Sequence, residues 1–252
     1  SAEGASGVAA NLHAYVLSFN PSNPTAFTTE LSFPLNYARE PATVFSSSLS
    51  GNWNPWADTW AETGLTGGSN ANSFNERAFA QPILSDIEFS DTGLDLGFLD
   101  RFGLQGGFRN LTPQASPTTL YLSVDVAGDI IHYCKVGNSY VQEGSAGCAV
   151  LDNTTNSTSA TDGPSGNGEF YFAESYNDTD VGPTFNHNET SLGGLAVLKG
   201  SQEILNNVFD PISGTQAATA FTQGLHWYNT STGAKTDQYL IVPNATNNPQ
   251  YF

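Results

Sequence analysis

Positive charge is the scarcest commodity in this chain. Of 252 residues only 7 are Lys or Arg, against 24 Asp or Glu, giving a formal net charge of −17 at pH 7. A polyanion without a basic cluster is repelled by phosphate backbones and anionic lipid, which argues against nucleic-acid or membrane-surface partners. Long apolar runs are missing too. The hydrophobic stretches are short and broken by Gly, Pro or polar residues, far below the roughly 20 apolar residues that cross a bilayer. Methionine is absent and charged residues make up only 12% of the chain. Surface polarity must therefore come mostly from Asn, Thr, Ser and Gly, a balance suited to an extracellular protein. The opening run Ser1–Gly7 is what would remain once an N-terminal signal had been removed.

Catalytic signatures are also lacking. There is no Gly-x-Ser-x-Gly elbow, phosphate loop, His-Glu-x-x-His or Cys-x-x-Cys, and the Gly-rich segment Gly163–Gly168 lacks the Lys-Ser/Thr ending of a phosphate loop. The carboxylates Asp86 and Glu88 stand two apart on one strand face, near Asp100 and Arg101, a pattern that suits an acid–base pair but suits an ion-pair network with Arg101 better. His187 with Glu189, and the nearby Glu169 and Glu174, lack the close-spaced nitrogen or sulfur ligands of a metal site. Calcium on acidic turns such as Asp91–Asp95 is conceivable, though the spacing of an EF-hand is absent. The expectation is a non-enzyme with no catalytic residue, cofactor or metal assigned.

What is present is a β pattern. Strand-like segments recur at Leu12–Phe19, Glu30–Tyr37, Ile83–Phe89, Leu94–Leu99, Leu120–Val126, Ile130–Val136, Tyr140–Glu143, Glu169–Ala173, Leu192–Leu198, Ile204–Phe209, Gly224–Tyr228 and Gln238–Val242. Each is followed by turn formers, and an all-β fold follows. A β-propeller-like or partly open propeller built from hairpins is the first reading, with a β-sandwich as the alternative. Residues 1–19 form a tail and possible exchanged strand, and residues 20–252 a single all-β domain. Leu12–Phe19 has no earlier partner in the chain, and it places Tyr15, Leu17 and Phe19 on one face, ready for burial against a neighbour. Self-association into a homopolymer is the expected partnership.

Two long polar connections separate these hairpins. One, around Ser46–Ala80, holds Trp53, Trp56 and Trp60, which either stack on glycans or anchor the loop. Sequons occur at Asn110, Asn153, Asn156, Asn177, Asn188, Asn229 and Asn244, all beside turn formers, so covalent N-glycans are expected there. Cys134 and Cys148 flank a hairpin-like segment, Lys135–Val141, and a disulfide between them is the favoured reading.

Several segments carry a resemblance. Gln81–Phe89, Gly97–Gly103, Gly128–Cys134, Gly166–Phe172, His187–Leu195, Val208–Ile212 and Gly224–Thr230, in that order, resemble the propeller-like region of large bacterial cell-surface proteins that carry Sdr-type B repeats. The resemblance implies a location and a style of fold rather than a reaction. Two departures stand out: the trailing repeats are missing, and Tyr133-Cys134 replaces an Arg-containing strand end. Together these features point to an extracellular, N-glycosylated structural protein of a surface appendage or fibril. An adhesive or glycan-binding module and a secreted glycan-active enzyme are the alternatives.

Overall fold

Alternation of apolar and polar residues makes the strands, and turns rich in Gly, Asn and Asp reverse them. The structure, a computed structural model, describes residues 7–44, 48–67, 75–107, 110–113, 121–150, 162–177, 186–214 and 222–242. In chain order the first strands are β1 (His13–Asn20), β2 (Asn23–Pro34), β3 (Pro41–Val44), β4 (Ser48–Ser50), β5 (Asn75–Arg77), β6 (Pro82–Phe89) and β7 (Gly93–Asp100). A short helix, α1 (Arg101–Gly106), follows, and Asp100 caps it by accepting from Phe102 N. Then come β8 (Asn110–Leu111), β9 (Tyr121–Val124), β10 (Asp129–Val136), β11 (Ser139–Gln142), β12 (Tyr176–Asn177) and β13 (Asn186–His187). The last four are β14 (Ser191–Val197), β15 (Glu203–Phe209), β16 (Gln223–Asn229) and β17 (Lys235–Val242).

The fold is all-β, and its sheets are almost wholly antiparallel. One sheet has the order β11-β10-β7-β6, a second is the meander β14-β15-β16-β17, and a third is β12-β13-β3-β4. A smaller sheet, β5-β9-β8, contains the parallel pair β5 and β9, and β1 and β2 form a ribbon of two strands. Among the described residues no sheet closes on itself.

The β6-β7-β10-β11 sheet lies between two cores. Along β10, Ile131 and Tyr133 enter a core with Leu94, Leu96, Phe98 and Phe33, while Ile130 enters another with Phe170, Tyr171, Ile204 and Tyr228. Burial of each such side chain is worth about 1.5–3 kcal/mol. β14 packs so closely on this sheet that a Cβ on Gly97 would meet Gly193 O at 2.4 Å. Ser85 Oγ donates to Gly193 O at 2.7 Å, and Leu195 N donates to Asp86 Oδ2 at 2.9 Å.

One expected strand is corrected here. Glu169–Ala173 is not a strand: Phe170 and Tyr171 are both buried, Ala173 has φ 67°, and only Phe172 makes a bridge, to Ala234. The left-handed turn at Ala173 and the single bridge break the ladder, so the segment is an irregular plug. The first strand pairs with a later one. β1 pairs with β2 from His13↔Pro34 to Asn20↔Asn23, so the boundary expected after residue 19 falls at the tip of a hairpin. The root of this arm is anchored by buried Leu12, Ala14, Val16, Leu31 and Phe33, but every residue from 17 to 30 is exposed.

Candidate functional site

Five carboxylates converge on one guanidinium inside the protein. Arg39 and Glu40 lie in the segment linking β2 to β3, Asp129 begins β10, Glu169 and Glu174 sit on the irregular plug, and Glu189 lies between β13 and β14. Glu189 has φ 58°, a conformation uncommon outside glycine, which the surrounding packing must hold in place. Arg39 Nη2 donates to Glu189 Oε2 at 2.6 Å and to Gly128 O at 2.6 Å, and Nη1 donates to Gly51 O and to Ala127 O. Its Nε lies 3.5 Å from Asp129 Oδ2. The guanidinium also sits 3.8 Å from the centre of the Trp53 ring, whose Nε1 donates to Tyr37 OH, which in turn donates to Asp129 Oδ2 at 2.5 Å. Glu40 N completes the frame by donating to Glu189 Oε1 at 3.0 Å.

Burial dominates the electrostatics. It pushes Glu189 up to about 8, against the pull of Arg39 and with further push from Asp129 and Glu40. Burial also raises Glu169 and Glu174 well above the ordinary carboxylate range, reinforced in both cases by Glu189 and Asp129. Asp129 is raised by burial, with Arg39 and the Tyr37 hydroxyl opposing. One cation does not offset five buried acids, and Glu169 Oε1 is inaccessible to solvent with no hydrogen-bond partner.

Only part of this was expected. Glu169, Glu174 and Glu189 come together as the sequence suggested, but His187 turns instead toward Asp210, at 3.4 Å, and burial lowers its pKa to about 3. Arg39, Glu40 and Asp129 were missed. The available signal was rarity: Arg39 is one of 7 cations, and it sits directly beside an acid.

The other carboxylate candidates separate. Asp86 accepts from Leu195 N, Glu88 is raised slightly by burial and by Asp86, and Arg101 instead holds Gln81 Oε1 at 2.9 Å. The expected network between Asp86, Glu88 and Arg101 does not form. Asp91 Oδ2 accepts from Gly200 N, while Asp95 lies buried, accepting from Tyr171 OH at 2.6 Å and meeting His132 Nδ1 at 2.7 Å. Asp95 and His132 are both fully buried, and Phe170 stacks on the imidazole at 4.1 Å.

The three tryptophans pack against other parts of the chain to different depths. Trp53 is buried, Trp56 Nε1 donates to Pro82 O beneath Arg101, and Trp60 stacks on Phe102. Cys134 and Cys148 are bonded and tie β10 to the segment after β11. Of the sequons, Asn110 and Asn177 are exposed and Asn229 is half-buried, while Asn153, Asn156 and Asn244 lie outside the described residues. Asn188 is a correction: it is only 4% exposed, and its Nδ2, the atom a glycan would substitute, donates to Pro41 O. Tyr15, Leu17 and Phe19 are 50%, 50% and 52% exposed, along one side of the arm.

No family model matches the chain, and no solved structure matches it. The chain is similar to two colossins of Dictyostelium discoideum. It is 29% identical to Colossin-A over 253 residues, 96% of this chain, and 29% identical to Colossin-B over 223 residues, 82% of this chain. It spans 2% of Colossin-A and 5% of Colossin-B, so the similarity concerns a small part of each of those proteins. Among the described residues no helix is long and apolar enough to cross a membrane.

Proposed function

We propose that this chain is an extracellular, N-glycosylated structural module of a surface appendage or fibril, non-enzymatic, folded as a partly open propeller and joined to further copies of itself. The four-stranded meanders, the similarity to parts of the colossins and the resemblance to bacterial cell-surface proteins support this reading. The observation that carries it is the arm. Phe27 is 62% exposed beside Tyr15, Leu17 and Phe19, and Phe19 meets Phe27 edge to face at 5.8 Å. Such a surface in water is an interaction site or a liability.

Its occupant is a second copy. Two chains of charge −17 repel, so contact must use neutral surface, and residues 4–29 contain no Asp, Glu, Lys or Arg. The matching surface is the outer face of β14–β17. There Leu198, Tyr239 and Ile241 are 76%, 61% and 55% exposed beside a groove of about 270 Å³ lined by Leu205 and Trp227. Arm and groove are different surfaces, so their contact is heterologous and repeats into a filament. Sedimentation and electron microscopy of the wild type and of Leu17→Glu/Phe19→Glu test this. Filaments from the wild type and folded, dispersed particles from the variant support the reading; a wild type that stays monomeric, or a variant that still assembles, sinks it. Peptide mass spectrometry of native material tests the glycans, with modification expected at Asn110, Asn177 and Asn229 and none at Asn188.

A further inference from the structure

We propose that the carboxylate cluster is a calcium site whose protein ligands are Asp129, Glu169 and Glu189. One oxygen from each lies within 4.8 Å of the others. Calcium, at about 2.3–2.6 Å from its ligands, touches oxygens up to about 5 Å apart, so three oxygens within that limit can share one ion. The donors are all hard oxygens, with no thiolate or imidazole among them, which selects against zinc and copper.

Glu169 independently points to a ligand. The residue as a whole is half-buried, yet its Oε1 is inaccessible and unpartnered, and its carboxylate brings one oxygen within 4.8 Å of the other two carboxylates. A buried acceptor left in that state costs about 1–3 kcal/mol, and a cation removes the deficit. Arg39 does not fill this role. Its bonds go to Glu189 Oε2 and to the carbonyls of Gly51, Ala127 and Gly128, and its Nε lies 3.5 Å from Asp129 Oδ2, but it makes no hydrogen bond to Glu169 Oε1. A carboxylate oxygen accepts more than one bond, so Glu189 can hold Arg39 and an ion together. Glu40 and Glu174 add negative potential around the same point, which favours a divalent ion.

The proposal is independent of how the chain assembles. The test is a titration of chelator-treated protein with terbium, a luminescent substitute for calcium. Tyr37 OH lies 2.5 Å from Asp129 Oδ2, and Trp53 is bonded to Tyr37, so excitation of these rings should sensitise an ion in the cluster. The expected result is emission that saturates at one ion per chain, is displaced by calcium, and needs at least tenfold more terbium in folded Glu169→Gln. Absence of that saturation in the wild type overturns the proposal, as does a folded Glu169→Gln with unchanged affinity, which would place the ion on the acidic surface. Should Glu169→Gln fail to fold, the wild type decides alone. Calcium in place of chelator then raises its melting midpoint by several degrees, and an unchanged midpoint overturns the site.

Discussion

The β1–β2 arm and the carboxylate cluster invert the usual rule in opposite directions. The distal part of the arm, residues 17–29, carries aromatic and aliphatic side chains outside and no charge, while the cluster carries five acids inside with one Arg. Apolar groups gain by leaving water and ions lose by it, so each region is stable only with something to complete it. The body meets its demand partly from within, through Arg39 and the hydroxyl of Tyr37. The arm has no internal answer. Its distal half rests on nothing beyond its own partner strand, and an isolated hairpin is marginal in water. The difference suggests that the two regions respond to separate inputs, one to ions and the other to neighbouring chains.

Substitutions can break this comparison, and the largest effect is expected at Arg39. Arg39→Gln removes the only guanidinium from the cluster and should cost about 3–5 kcal/mol in urea denaturation, because it leaves buried acids unpaired. A loss below about 1 kcal/mol would mean that the cluster is already neutral and unlike the picture drawn here. Replacing Cys134 and Cys148 by Ser opens a loop with a sequence separation of 14, with an expected loss of about 3 kcal/mol in the same measurement.

A smaller effect follows from His226. Burial, helped by Lys235 and opposed by the bond to Pro211 O, lowers its pKa to about 4, below the ordinary value of about 6.5. As pH falls, the unfolded chain takes up this proton first. The contribution is therefore full above about pH 6.5 and is lost between there and about pH 4, on the order of 2–3 kcal/mol. His226→Gln should flatten that part of the stability profile, and an unchanged acid limb would assign it to other groups. The smallest effect is expected at the arm: Leu17→Glu/Phe19→Glu should leave urea stability within about 0.5 kcal/mol while abolishing assembly, since neither side chain supports the core. A large loss of stability there would erase the contrast between arm and body.

Most of the body was legible in the sequence because its strands alternate. β6, β7, β10 and β14–β17 each coincide with an expected strand to within a few residues, since a two-residue period and Gly or Asn turns act locally. The pairing of Cys134 with Cys148 was also legible, because the intervening hairpin brings its ends together. The short β3, β4, β12 and β13 were not, having too few residues to show a period. The first half of β2, Asn23-Pro24-Thr25, reads as a turn, and β1 alone makes it a strand. The cluster was legible only in part. Glu169, Glu174 and Glu189 stand near one another in sequence, but Arg39 lies 150 residues from Glu189, and nothing local marks such a contact. The buried state of Asn188 was equally hidden, because a sequon carries no information about depth.

The close approach of Gly97 to Gly193 has a mechanical consequence. At that point two sheets touch backbone to backbone, with Ser85 and Asp86 bonded directly across the junction to Gly193 and Leu195. Were tension applied along a string of such modules, this close backbone contact would leave the strands little room to slide before the Ser85 and Asp86 bonds gave way. It would hold until both bonds sheared together, and then separate in one step.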